Sequence, residues 1–182
     1  MPTRSETTDP SSPAWQSVLM SDAWIVSTVD GGHVRLRSGK IGLMSLDASA
    51  PVSGGELVID GDQASFTLRL DLGQMRTGNF LLQAAARSVI SSNDVHVLTY
   101  VGSGPAVDAG WRVSGTAVAG PVEVPLDLTI TAIGPQESPM AEIDITGSAN
   151  VGTVHLPLPG MGTVDDFGFD VEARLAMTPH TG

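Results

Sequence analysis

The sequence predicts an all-β protein: an antiparallel sheet, closed into a barrel or folded into a sandwich, with one inserted α-helix. Three observations predict it. Apolar and polar residues alternate with a period of two, as Ala64, Phe66, Leu68, Leu70 and Leu72 do against Ser65, Thr67, Arg69 and Asp71. The same beat returns over residues 122–132 and 167–177. Successive strand side chains point to opposite faces, so each run has one face for an interior and one for water. Asp-Gly and Gly-Pro pairs punctuate the runs, which is the pattern of hairpins and antiparallel pairing. Residues 79–90 break the beat with a helical composition.

Taken in order, residues 1–22 read as a flexible tail rich in Ser, Thr and Pro, with 14–20 able to form a short helical flap. Strands are expected at 24–29 and 33–37, joined as a hairpin by Asp30-Gly31-Gly32. Further strands follow at 41–47 and 55–59, then a tight turn at Asp60-Gly61-Asp62 into 64–72. In 79–90 (NFLLQAAARSVI), Asn79 suits an N-cap, and Gln83 and Arg87 form a narrow polar stripe. The other faces are apolar or small, so this helix should pack on the sheet or close one end of it. Strands resume at 94–101, 110–119, 122–133, 141–149 and 167–177, with turns expected at Gly104-Pro105, Gly120-Pro121 and Gly134-Pro135. The stretch 152–166 holds too much Pro and Gly for a central strand and reads as an edge strand or loop. Residues 179–182 should fray. The count is about eight or nine strands, whose edges must be protected by closure.

At 182 residues the chain suits one domain with a tail. A net charge of −11, with Lys40 the sole lysine, argues against a nucleic-acid partner and against an anionic membrane surface. The absence of cysteine excludes disulfides, thiolate nucleophiles and Cys-based metal sites. No apolar run approaches the ~20 residues that span a bilayer, and the N-terminus lacks an apolar signal region. The expectation is a cytoplasmic protein, and sheet edges would also suit a homodimer.

Residues 111–128, WRVSGTAVAGPVEVPLDL, resemble the signature hairpin of the YceI-like family: V-x-G-x-L-x-x-x-G, a small turn, then P-V-x-L-x-V. Val113, Gly115, Gly120, Pro125 and Leu126 occupy similar places. Gln74-Met75-Arg76-Thr77-Gly78-Asn79, between a long strand and the helix, is similar to the family's S-L-x-T-G-N, and the opening at 24–36 offers a third match. The order holds over residues 23–178. The helix carries Leu81-Leu82-Gln83-Ala84-Ala85-Ala86 where family members place a charged cluster, and Ser148-Ala149-Asn150-Val151-Gly152 is the nearest match to a late R-x-D-F-G. The resemblance implies a closed, lipocalin-like antiparallel barrel of about eight strands. It also implies an apolar ligand held inside, such as a polyisoprenoid chain or a fatty-acid amide.

No catalytic pattern competes with that implication. His33, His96, His155 and His180 share no metal-binding spacing, and no nucleophile elbow or phosphate loop is present. Arg69, Arg112 and Glu123 fall in the outward phase, and Asp60–Asp62 and Asp165-Asp166 sit in solvated turns. The expectation is therefore a protein without enzymatic activity, cofactor or metal. Function is sought in the apolar phase: Phe66, Leu68, Leu70, Met75, Val113, Val124, Leu126, Leu128, Phe169 and Val171 are the candidate ligand-binding residues, with Leu175 on the same face. Few aromatics are available to fill an interior, and Met44, Met75, Met161 and Met177 are adaptable enough to meet variable apolar ligands. Three readings are set side by side at this point: a hollow barrel that binds, stores or transports a hydrophobic small molecule; a filled structural or interaction barrel with no ligand; and a hydrolase or isomerase on an apolar substrate, which needs a buried polar pair and has the outward phase of Arg69, Arg112 and Glu123 against it.

Overall fold

A computed structural model describes residues 22–28, 32–41, 44–134, 140–155 and 162–180. Eight staves form a closed antiparallel ring. The strands are β1 (Ala23–Val26), β2 (His33–Ile41), β3 (Met44–Asp60), β4 (Gln63–Asp71), β5 (Arg76–Thr77), β6 (Val97–Val107), β7 (Gly110–Ala119), β8 (Val122–Ile133), β9 (Ala141–Asn150), β10 (Val154–His155), β11 (Thr163–Val164) and β12 (Gly168–Pro179). Around the ring the order is β2-β3-β4-β6-β7-β8-β9-β12, and β12 closes it by pairing with both β9 and β2. Closure leaves the main sheet without a free edge along the ring.

Two staves are built in pieces. β1 and β2 each pair antiparallel with β3 and with β12, one beyond the other. They are one broken stave, which corrects the expected hairpin over 24–37. Val29, Asp30 and Gly31 lie outside the described residues; Gly32 O accepts from Val52 N at 2.8 Å, and β2 follows. Likewise β5 continues the β4 side of β3 after a 3-10 turn at Leu72–Gln74.

Residues 44–47 of the expected strand 41–47 and all of 55–59 belong to a single 17-residue strand, β3, while Ile41 ends β2. Pro51 does not break it. Val52 N–H points to the β2 side, so position 51 faces the other side, where the ladder is already interrupted between Ser49↔Arg76 and Val52↔Leu70. A register shift between Val52 and Gly54 bends the long strand into the ring. Gly104-Pro105 is also no turn; both lie inside β6, whose hairpin to β7 turns at Asp108-Ala109. A side chain on Gly104 would collide with the Arg112 carbonyl, so glycine there permits close packing rather than a reversal.

The helix α1 runs Phe80–Asn93. It ends on Asp94 at φ +52°, where Val95 N–H donates to Ile90 O and Asp94 N–H to Ser91 O, a left-handed helix stop. Its neighbours are β5 and the 3-10 turn, so it sits at an end of the ring and not on a sheet face. Gln83 ties it there: its Oε1 accepts from Thr77 N at 2.6 Å and its Nε2 donates to Met75 O at 2.8 Å.

Within 152–166, β10 and β11 pair as a small hairpin of their own. Pro179 pairs with Trp24 and His180 N–H donates to Ala23 O, so fraying does not reach the first two residues of 179–182. The expected flap at 14–20 and most of the expected tail fall outside the described residues.

The core is the inward phase of every stave. Its largest fully buried side chains are Trp111, Phe66, Leu57, Ile130, Ile143, Ile145, Leu175, Met177 and Val113. Outside, Arg174 and Asp144 face each other across β9 and β12 in a two-point ion pair, Nε to Oδ1 at 2.7 Å and Nη2 to Oδ2 at 3.0 Å. The Arg174 hydrogen bond holds the Asp144 carboxyl below its usual range.

Candidate functional site

The barrel interior is unequal along its length. At the end closed by the Asp60-Gly61 and Asp108-Ala109 turns, the inward positions carry Trp24, Leu57, Ile59, Trp111, Ile130, Ile143 and Met177, all buried. At the opposite end, beside α1 and the Gly120-Pro121 turn, they carry Leu36, Leu98, Ala117, Ala119, Val122, Val124 and Phe169. Small side chains at that height leave a cavity of about 110 Å³. Val122 lines it and is 56% exposed, which places the opening at the β7–β8 turn. Gly120 in that turn is at φ +60°, and a Cβ on it would lie 2.5 Å from Val95 Cγ2, so the end of α1 abuts the same rim.

Seven of the ten candidate residues line this cavity: Leu68, Leu70, Val124, Leu126, Leu128, Phe169 and Val171. Val34, Leu36, Leu98, Tyr100, Ala117, Ala119, Val122 and Ile145 complete the wall. The other three candidates lie elsewhere. Phe66 and Val113 point inward but are fully buried at the packed level, beside Tyr100 and Gly102. Met75 is partly buried against the core, next to the 3-10 turn. Alternation assigns a residue to a face and says nothing of its height along the barrel axis, which is the reason for these misplacements. Met177 is likewise core, at the packed end, and Leu175 is fully buried with it. Met161 and the Met44 side chain lie outside the described residues. Aromatics are few, yet among the described residues Trp24, Phe66, Tyr100 and Trp111 are all buried and act as interior filler.

Tyr100 is the one wall residue with a polar side-chain atom, and that atom is engaged. Its hydroxyl lies 3.1 Å from Leu126 O and 3.3 Å from Val113 O, to which it donates. Burial, reinforced by the nearby Asp127 carboxylate, pushes the phenol up to about 12. The hydroxyl oxygen is set in the wall against Gly102 and Gly115, so the cavity presents hydrocarbon alone, and a ligand there can gain apolar burial and dispersion but no directed hydrogen bond.

Polar chemistry elsewhere is superficial. His33, His96 and His180 are exposed, as are Arg69, Arg112 and Glu123. His96 meets Asp94 at 2.9 Å on the surface. Among the described residues no group of three or more His, Asp or Glu is placed to hold a metal ion. Among them, too, no helix is long and apolar enough to cross a membrane.

A closed eight-stave ring with an end helix and an apolar, one-ended cavity can be compared with solved structures. The barrel is similar in fold to BcnA of Burkholderia cenocepacia. The crystal structure of BcnA aligns at a TM-score of 0.57 and 16% identity, covering 83% of this chain and 98% of BcnA. At that identity the likeness to BcnA is one of fold. No protein-family profile matches the chain, and no curated protein matches it in sequence. The lipocalin-like barrel that the YceI-like resemblance implied is the architecture found.

Proposed function

We propose that this protein binds, stores or transports a long apolar or amphipathic small molecule, an isoprenoid or fatty-acid derivative, without catalysing a reaction on it. The observation that carries the reading is the cavity: about 110 Å³, walled by apolar side chains, and open at one end beside Val122. The YceI-like motifs over residues 111–128 and 74–79 support the ligand class, and the fold shared with BcnA supports the frame.

Size limits how the ligand sits. Pockets that enclose a drug-sized molecule run to roughly 300–1,000 Å³, and a dry cavity of about 150 Å³ accommodates benzene. A cavity of about 110 Å³ therefore takes the end of a hydrocarbon chain, and the remainder lies along the mouth between α1 and the β7–β8 turn. Burial at ~25 cal/mol per Å² gives each 100 Å² of chain about 2.5 kcal/mol of driving force. With no buried acid–base pair on the wall, bound ligand would leave unchanged.

Native mass spectrometry of protein isolated from its own host, followed by organic extraction, tests the reading. The expected result is an apolar adduct, or saturable uptake of isoprenols from farnesol upward. Protein that arrives empty and takes up neither isoprenols nor fatty acids overturns it. A second reading, a structural barrel without ligand, has its own supporting observation in the packed half, where Trp111, Phe66, Leu57, Ile130 and Ile143 meet with essentially no exposure. It predicts that second outcome.

A further inference from the structure

Tyr100 stands at the boundary between the hollow and the packed halves of the barrel. It lines the cavity, while on its other side Phe66 lies with its ring centroid 6.3 Å away and does not reach the cavity. The phenol ring lies across neighbouring strands, so that its hydroxyl, carried on β6, meets carbonyls of β7 and β8. Two glycines make the slot for it. Gly102 and Gly115 are directly paired across β6 and β7, and a Cβ on either would come within 2.5 or 2.8 Å of the Tyr100 hydroxyl oxygen. The ring is held at its free end by two carbonyls and at its base by the strand, which is the arrangement of a fixed stop.

Resting on the binding reading above, we propose that Tyr100 is the specificity-determining residue that sets how deep a hydrocarbon chain enters, and hence which chain length binds best. The ring is the part of the cavity lining that separates it from Phe66, and Leu126, Leu128 and Ile145 line the same pocket. A terminal methyl meets its face, and the hydroxyl, its one proton shared between Leu126 O and Val113 O and its oxygen set against Gly102 and Gly115, is not presented to the cavity. The site therefore selects unsubstituted hydrocarbon termini and rejects a terminal hydroxyl, by about a hundredfold on the scale typical of apolar pockets.

The test is a homologous series of straight-chain fatty acids, hexanoate to hexadecanoate, titrated against the full chain and against Tyr100→Phe, Tyr100→Leu and Tyr100→Ala. Tyr100→Phe keeps the ring and is expected to keep the optimum chain length. Tyr100→Leu opens the Gly102–Gly115 slot and is expected to move the optimum to longer chains, with at least a tenfold gain for those chains over the shortest binder. Tyr100→Ala should move it further; should Ala fail to fold, the Leu and Phe variants carry the comparison. ω-Hydroxydodecanoate should bind the unmodified protein far more weakly than dodecanoate. An unchanged optimum in Tyr100→Leu, or equal binding of the two dodecanoates, overturns the depth assignment while leaving binding intact. Failure of every chain to bind the unmodified protein overturns the binding reading itself and this assignment with it.

Discussion

Tyr100 is the sole tyrosine of the chain, which makes its ionisation directly readable in the ultraviolet spectrum. Its phenol is raised from 10.0 to about 12 in the folded barrel, first by burial and then by repulsion from Asp127. A raised folded value means the stabilisation is complete below pH ~10 and is lost as pH climbs through the interval to about 12. Stability should therefore fall by roughly 2–3 kcal/mol across that interval. Urea melts at stepped alkaline pH, followed beside phenolate absorbance, check this. Tyr100→Phe should remove most of the decline, and a decline of equal size in that variant would show that another group is responsible. At Gly115 the constraint is steric: an added methyl collides with the Val101 carbonyl and lies 2.8 Å from the Tyr100 hydroxyl. Gly115→Ala should cost about 2–4 kcal/mol in a denaturant melt, whereas a change under about 0.5 kcal/mol would mean the strands part without penalty.

At the scale of elements, the strands were legible where both alternation and turn chemistry agreed. Residues 110–119, 122–133 and 141–149 appear almost as predicted because each has an unbroken beat between clear turns. The misreadings share one cause. The gap expected between 47 and 55 and the turn expected at Gly104-Pro105 both fall inside strands, where a neighbouring stave leaves a gap or comes too close for a side chain. That information belongs to the partner strand and is absent from the local window. The helical spacing puts Gln83 on a narrow polar stripe with Arg87, and its part in fixing the helix to Met75 and Thr77 emerges only when the helix turns back on β5. Gln83→Ala removes three hydrogen bonds, from Thr77 N and Thr77 Oγ1 and to Met75 O, and should cost about 1–3 kcal/mol. It should also speed hydrogen exchange in α1 while leaving β7–β9 protected. Uniform acceleration across strands and helix would show that α1 is not an independently anchored element.

For the molecule as a whole, the decisive property is a gradient of side-chain size along one barrel axis. The inward face was legible from the two-residue beat, and seven of the ten residues chosen from it line the cavity. The hollow end was not identified, although a signal was present. Small inward residues (Ala117, Ala119, Val122, Val124) flank one turn, and large ones (Ile59, Trp111) flank the turns at the other end. Reading side-chain size against distance from each hairpin would have found it. The gradient predicts an asymmetry in stability: Trp111→Ala at the packed end should cost about 3–5 kcal/mol, and Val122→Ala at the mouth less than about 0.5 kcal/mol. Similar losses at both sites would mean the barrel is packed alike throughout.

The central claim is that the apolar chain end enters at the Val122 rim and stops short of the packed half. Methyl-resolved NMR during titration with dodecanoate tests it most directly. The account predicts saturable shifts at Leu70, Leu98, Val124 and Leu126, with Leu57, Ile130 and Ile143 unmoved. Shifts confined to surface methyls such as Val97 and Val101, or no saturable shifts at all, would contradict it.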